Sequence, residues 1–145
     1  MTPDPLALAR WIYDRFAVGD IEAVMSHVHP ASTWTFPGKK PYLPWAGTYR
    51  GLQVLEFFRS LDDTLRYVHY TPTEFHAAGN VVTVLSHERV IVLATEKVYE
   101  NQLCAVLTFQ DGKILRFLEY SDTFAMVEAS VDALRIRSPR VAKVA

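Results

Sequence analysis

The segment with the clearest chemical potential is GKILRFLEYSD, residues 112–122. Read as a strand leaving a tight turn, it places Leu115, Phe117, Glu119 and Ser121 on one face, because strand side chains alternate. A carboxylate that follows two large apolar residues on a face suited to burial is costly to ionise. Left unpaired, it has a pKa raised toward neutrality and suits general acid or base work; paired with a guanidinium, it becomes a structural ion pair. Arg89 is the candidate guanidinium. In VVTVLSHERVIVLA the alternation Leu85, His87, Arg89, Ile91 puts His87 and Arg89 on one face. If that face is concave, His87 is the candidate proton partner and Arg89 the oxyanion or carboxylate binder. Glu119, Arg89 and His87 therefore form the expected catalytic set, set against the plainer reading of a structural Arg89–Glu119 pair and a hydrogen-bonded His87.

A site of this kind needs walls. Trp34, Phe36, Trp45 and Phe117 are the expected aromatic lining, and Tyr99, Asn101, Leu103 and Ala105 share one face of a neighbouring strand. Trp11, Tyr13, Phe16 and Phe58 are further lining candidates. Such a cavity suits a small hydrophobic molecule. No phosphate-cradling loop is present, no histidine shows metal-ligand spacing, and no cofactor is expected. Asp122 is expected to cap a terminal helix, and Cys104, facing away from the hollow, to pack rather than react.

The elements that position these residues follow from periodicity. Leu8, Trp11, Ile12 and Phe16 form a helical stripe with Pro5 in the first turn and Gly19 past the end. Asp20 caps a second helix, IEAVMSHV, with Pro30 marking its exit. Residues 32–36 read as a short strand, 37–51 as a loop that could cover the pocket mouth, and LQVLEFFRSL as a third helix burying Leu55, Phe58 and Leu61. Four strands follow, with turns at Gly79–Asn80 and Asp111–Gly112, and then a weakly helical segment. The predicted order is α-α-β-α-β-β-β-β with a helical tail. Helices first and a hairpin-rich sheet second give an α+β fold, a curved sheet wrapped around helices as a cone.

With 145 residues the chain fits a single domain, 1–145, whose core runs from about 5 to 130 and whose tail, 131–145, carries Arg135, Arg137, Arg140 and Lys143. A formal net charge of −1 gives no pull toward nucleic acid or anionic membrane. A single cysteine, no signal-like start and no long apolar run point to the cytoplasm. The outer sheet face, with Cys104, Val106, Leu118 and Tyr120, is apolar enough to predict a homodimer through that face.

The stretches GD after the first helix, PWAGTYRG before the third and VYEN…FQDGKI…EYSD at the end resemble the SnoaL-like, ketosteroid-isomerase-like branch of the nuclear-transport-factor-two superfold. The resemblance covers about residues 5–130 and implies the cone-shaped fold. The positions of the ketosteroid-isomerase catalytic groups hold Ile12, Phe36 and Ala105 here, so that mechanism is not expected. Tyr13 lies one residue from the first of these, an offset that turns a helical side chain by about 100° and sets it aside. Of the limonene-epoxide-hydrolase constellation Arg89 and Glu119 remain, but Ile91, Trp34 and Phe36 stand where its other polar groups would be. The acid/base aspartate of SnoaL-type polyketide cyclases aligns with Glu119, and their supporting histidine with Ala105. The resemblance implies proton-transfer chemistry, such as cyclisation or isomerisation of an apolar carbonyl compound. The alternatives are a non-catalytic binder of a hydrophobic ligand and a structural dimer module with an aromatic-filled cavity.

Overall fold

In the computed structural model, which describes residues 3–131, helices α1 (Pro5–Ala17) and α2 (Ile21–Met25) lead into strand β1 (Val28–Phe36). Strand β2 (Gly47–Arg50), a short 3-10 turn and helix α3 (Val54–Thr64) follow. The chain then runs through β3 (Leu65–Ala78), β4 (Val81–Val92), β5 (Val98–Gln110) and β6 (Lys113–Ser121) before α4 (Thr123–Ser130). The six strands form one sheet in the order β2-β1-β6-β5-β4-β3, antiparallel except where β1 meets β6. This is the α+β architecture expected, a curved and unclosed sheet over helices. Residues of the basic tail lie outside those described.

Local chemistry explains the helix boundaries. The Asp4, Asp20 and Asp122 carboxylates accept hydrogen bonds from the backbone N–H groups of Ala7, Ala23 and Ala125, so α1, α2 and α4 each begin at an aspartate cap. At the β5–β6 hairpin both Asp111 and Gly112 have positive φ, 54° and 72°, the signature of the tight turn that Asp-Gly favours.

Three boundaries differ from the sequence reading. The strand β1 starts at Val28 rather than residue 32, so Val28 leaves the second helix; its parallel register with Ile114 of β6 outweighs local helix propensity. Pro30 fits inside β1 because the register is broken between Val28 and Thr33. Residues 47–50, read as loop, pair with β1 as β2. Gly51 then turns at φ 52°, and a Cβ there would sit 2.8 Å from the Pro30 carbonyl oxygen, so only glycine fits this crossing.

Bulges set the phase of the long strands. In β3 the register steps past Val68 and again past Thr73, and in β6 past Leu115. The first step lets Tyr67 and Tyr70, three residues apart, both face inward. The last buries Ile114 fully and leaves Leu115 outside the ladder, so Leu115 does not share the wall with Phe117 and Glu119 as strict alternation implies. The core fills the concavity with stacked rings: Trp34 on Phe117 at 4.4 Å and Phe36 on Phe57 at 3.7 Å between centroids. Trp11, expected in the lining, is 41% exposed and packs against the His27 ring instead.

Candidate active site

Glu119 sits where the β6 alternation predicts, on the concave face next to Phe117. It is half-buried, and it lines both inner cavities, so the surface it keeps faces the hollow. The larger cavity, about 50 Å³, is bounded by Ile12, Tyr13, Phe16, Trp34, Phe36, Phe58, Tyr67, Tyr70 and Phe117, among others. The smaller, about 30 Å³, adds Trp45, Glu88, Tyr99, Leu103 and Ser121. Neither is lined by a lysine, arginine or histidine. A groove of about 560 Å³ outside them shares Phe16, Phe58, Leu61, Tyr67 and Tyr70 with the larger cavity and supplies a route inward between α1, α3 and β3. Arg59, Asp62 and His69 stand along that groove.

Arg89 and His87 are not in the hollow. Inward positions on β4 are Val82, Val84, Ser86, Glu88, Val90 and Val92, all buried, and the odd-numbered residues point to the other face. Arg89 is exposed and pairs with Glu100 at 3.4 Å, while His87 Nε2 lies 3.8 Å from the same carboxylate and its ring stacks on His69. The Arg89–Glu119 pair is therefore absent, which corrects both the expected catalytic trio and the structural-pair reading. The hollow faces the side of β4 that carries four valines.

The residue brought in instead is Glu88, buried to 3% exposure and opposite Asn101 in the ladder. Burial, then the charge of Glu119, pushes its carboxyl up to about 8, with the Asn101 amide pulling the other way. Burial raises Glu119 to about 7, opposed by the Tyr70 hydroxyl, which donates to Glu119 Oε2 at 3.2 Å. Tyr70 stands directly across from Glu88 in the β3–β4 ladder. Burial also raises Tyr13, Tyr67, Tyr70 and Tyr99, so these phenols stay neutral donors. The hydroxyls of Tyr13 and Tyr99 and the Trp34 indole N–H are buried with no hydrogen-bond partner among the described residues.

Of the expected lining, Trp34, Phe36 and Phe117 face the larger cavity and Tyr99, Leu103 and Trp45 the smaller. Ala105 is buried across the ladder from Glu119. Asn101 is buried, but its side chain holds the Asp122 backbone N–H at 2.9 Å and so anchors the start of α4. Tyr13, set aside on helical offset, lines the hollow together with Ile12 because the buried stripe of α1 is wide enough for both. The loop before β2 seals one end of the cone: Leu43, Trp45 and Ala46 are buried, and Lys40 is tied to the Ala46 carbonyl at 3.0 Å. Tyr67, Tyr70 and Glu88 escaped the sequence reading. For Glu88 a signal existed, since Val82, Val84, Val90 and Val92 share its parity; for the two tyrosines the bulge at Val68 removed it.

The sequence model for the SnoaL-like domain matches residues 9–117. Among solved structures, an NTF2-like protein from Burkholderia thailandensis superposes with a TM-score of 0.80 at 26% identity, covering 88% of this chain and 98% of that one. An NTF2-like protein from Burkholderia xenovorans gives 0.78 at 23% identity, with 90% and 98% covered. TerC, crystallised with polyporic acid, gives 0.75 at 26% identity, with 86% and 96% covered. No curated protein matches the chain. No helix among the described residues is long and apolar enough to cross a membrane.

Proposed function

The chain belongs to the SnoaL-like domain family, and from that premise we propose that it is an acid/base enzyme acting on an apolar carbonyl compound. The carrying observation is a pair of glutamates, Glu119 and Glu88, walling one buried cavity that no lysine, arginine or histidine among the described residues lines. Two carboxyls that share one cavity can take opposite roles, one accepting a proton and one giving it. Glu119, which lines both cavities and accepts from the Tyr70 hydroxyl, is the base that removes a proton next to the substrate carbonyl. Glu88, still protonated near neutrality, returns a proton or holds the developing enolate. Tyr70, which already donates to Glu119, would orient the base. The unpartnered Tyr13 and Tyr99 hydroxyls are the candidate donors to the substrate oxygen.

The lining favours an aromatic or polycyclic substrate, and the complex of TerC with polyporic acid supports that class. The inner cavities are too small for such a ring as they stand, so entry requires Phe16, Phe58 or Tyr70 to swing toward the outer groove. A non-catalytic binder is the second reading, favoured by the same small, aromatic-filled hollow; it no longer needs an Arg89–Glu119 pair. The proposed cover for the outer face is a second copy of the chain, argued from half-buried Leu85, Cys104, Val106 and Leu118 beside exposed Tyr120, and sedimentation tests it.

The functional test uses exchange of the α-hydrogens of an arene-fused cyclic ketone, 2-tetralone, in D2O, followed by proton NMR. Catalysed exchange that Glu119→Gln abolishes in a folded protein supports the enzyme. Tight binding of polyporic acid with no exchange above buffer supports the binder.

A further inference from the structure

On the outer face of the sheet, where His69 of the edge strand β3 also borders the groove, His69, His87 and Glu100 bring one ligand atom each within 4.8 Å of one another. We propose that these three side chains form a binding site for a divalent transition metal of the zinc, copper or nickel class. Each residue comes from a different strand, β3, β4 and β5, so the backbone that presents them is paired on both sides of β4. His69 faces Arg89, and Arg89 faces Glu100, along one row of the ladder; His87 stands two residues earlier on β4. The imidazole rings lie 5.0 Å apart with their planes 22° from parallel.

Two imidazoles and a carboxylate select borderline metals over magnesium or calcium, which prefer all-oxygen sets. Three protein ligands leave a coordination position open. A surface depression of about 350 Å³, bounded by His87, Glu100, Gln102 and Asp122 among others, supplies room there for water or a small ligand. The two oxygens of Glu100 divide their work: Oε1 lies 3.8 Å from His87 Nε2, and Oε2 lies 3.4 Å from Arg89. Arg89 thus aims Oε1 at the histidines, the role outer partners commonly play around metal ligands. His69 supplies an independent sign. Its Nδ1 is buried without a hydrogen-bond partner among the described residues, and ligation through that nitrogen would satisfy it. Nothing in the inner hollow is needed for this site, so it stands whether or not the cavity is catalytic.

The test is titration of the untagged full chain with Zn(II) by calorimetry and with Co(II) by visible absorption. One saturable equivalent is expected, with cobalt bands typical of nitrogen and oxygen ligation. His69→Ala, His87→Ala and Glu100→Gln should each weaken binding at least tenfold, with circular dichroism showing them folded. His29→Ala/His76→Ala, which removes two histidines elsewhere on the surface, should leave binding unchanged. Absence of a saturable equivalent, or binding that survives His69→Ala/His87→Ala, would overturn the proposal, as would loss of binding in His29→Ala/His76→Ala.

Discussion

Adjacent residues on β4 show what the two faces of this sheet do to a charge. Arg89 points outward, stays exposed and shares Glu100 with His87. Glu88, one residue earlier, points inward among valines and tyrosines, where burial pushes its carboxyl to about 8. On β6 the same contrast separates Glu119, raised to about 7, from its outward neighbour Tyr120, which is 54% exposed. Solvation, not residue type, decides which carboxylates can hold a proton at neutral pH. The outer face solves its charges by pairing; on the inner face no cation among the described residues lines the cavities beside the two acids.

Breaking the inner face at its base should have the largest effect. Glu119→Gln is expected to lower the α-hydrogen exchange rate by at least 100-fold, as loss of a general base does, while the protein remains folded by circular dichroism. Stability comes next. Because Glu88 and Glu119 hold protons more tightly folded than unfolded, their stabilising effect is complete below about pH 4.5. It is lost as pH rises through about 7 and then about 8. Thermal melts should therefore fall between pH 5 and pH 9. Glu88→Gln should flatten that slope and raise Tm at pH 9 by roughly 5 °C or more, equivalent to about 1–2 kcal/mol.

A smaller change follows from Tyr70→Phe. Removing the hydroxyl that donates to Glu119 deletes the influence that lowers its pKa, so the alkaline shift of the rate profile is the readout, by about half a unit to one unit. Smallest of all is Arg89→Ala on the exposed face, expected to move stability by less than about 0.5 kcal/mol, since solvent screens the pair with Glu100. A large loss there would mean that the outer face matters more than its exposure implies.

The element order apart from β2, the hairpin at Asp111–Gly112, the caps at Asp20 and Asp122 and the inward position of Glu119 were legible because each depends on local chemistry or simple alternation. The companions of Glu119 were not. Alternation relates residues within a strand but does not say which parity faces the helices, and on β4 the eye is drawn to His87 and Arg89 over the plain Val-rich face that carries Glu88. Tyr67 and Tyr70 needed knowledge of a bulge at Val68, which depends on the partner strand rather than on β3 itself. The register of β1 against β6 was hidden likewise, since parallel partners lie about eighty residues apart in the chain.

The proposed chemistry needs two acids inside the cone whose proton affinity is raised to near neutral pH. Carbon-13 NMR of the protein with labelled glutamate carboxyls, titrated from pH 3 to pH 10 with Glu119→Gln and Glu88→Gln for assignment, measures this directly. Two carboxyls titrating at about 7 and about 8, each absent from its own variant, is the predicted result. All glutamates titrating together below about pH 5, in the ordinary carboxylate range, would contradict it.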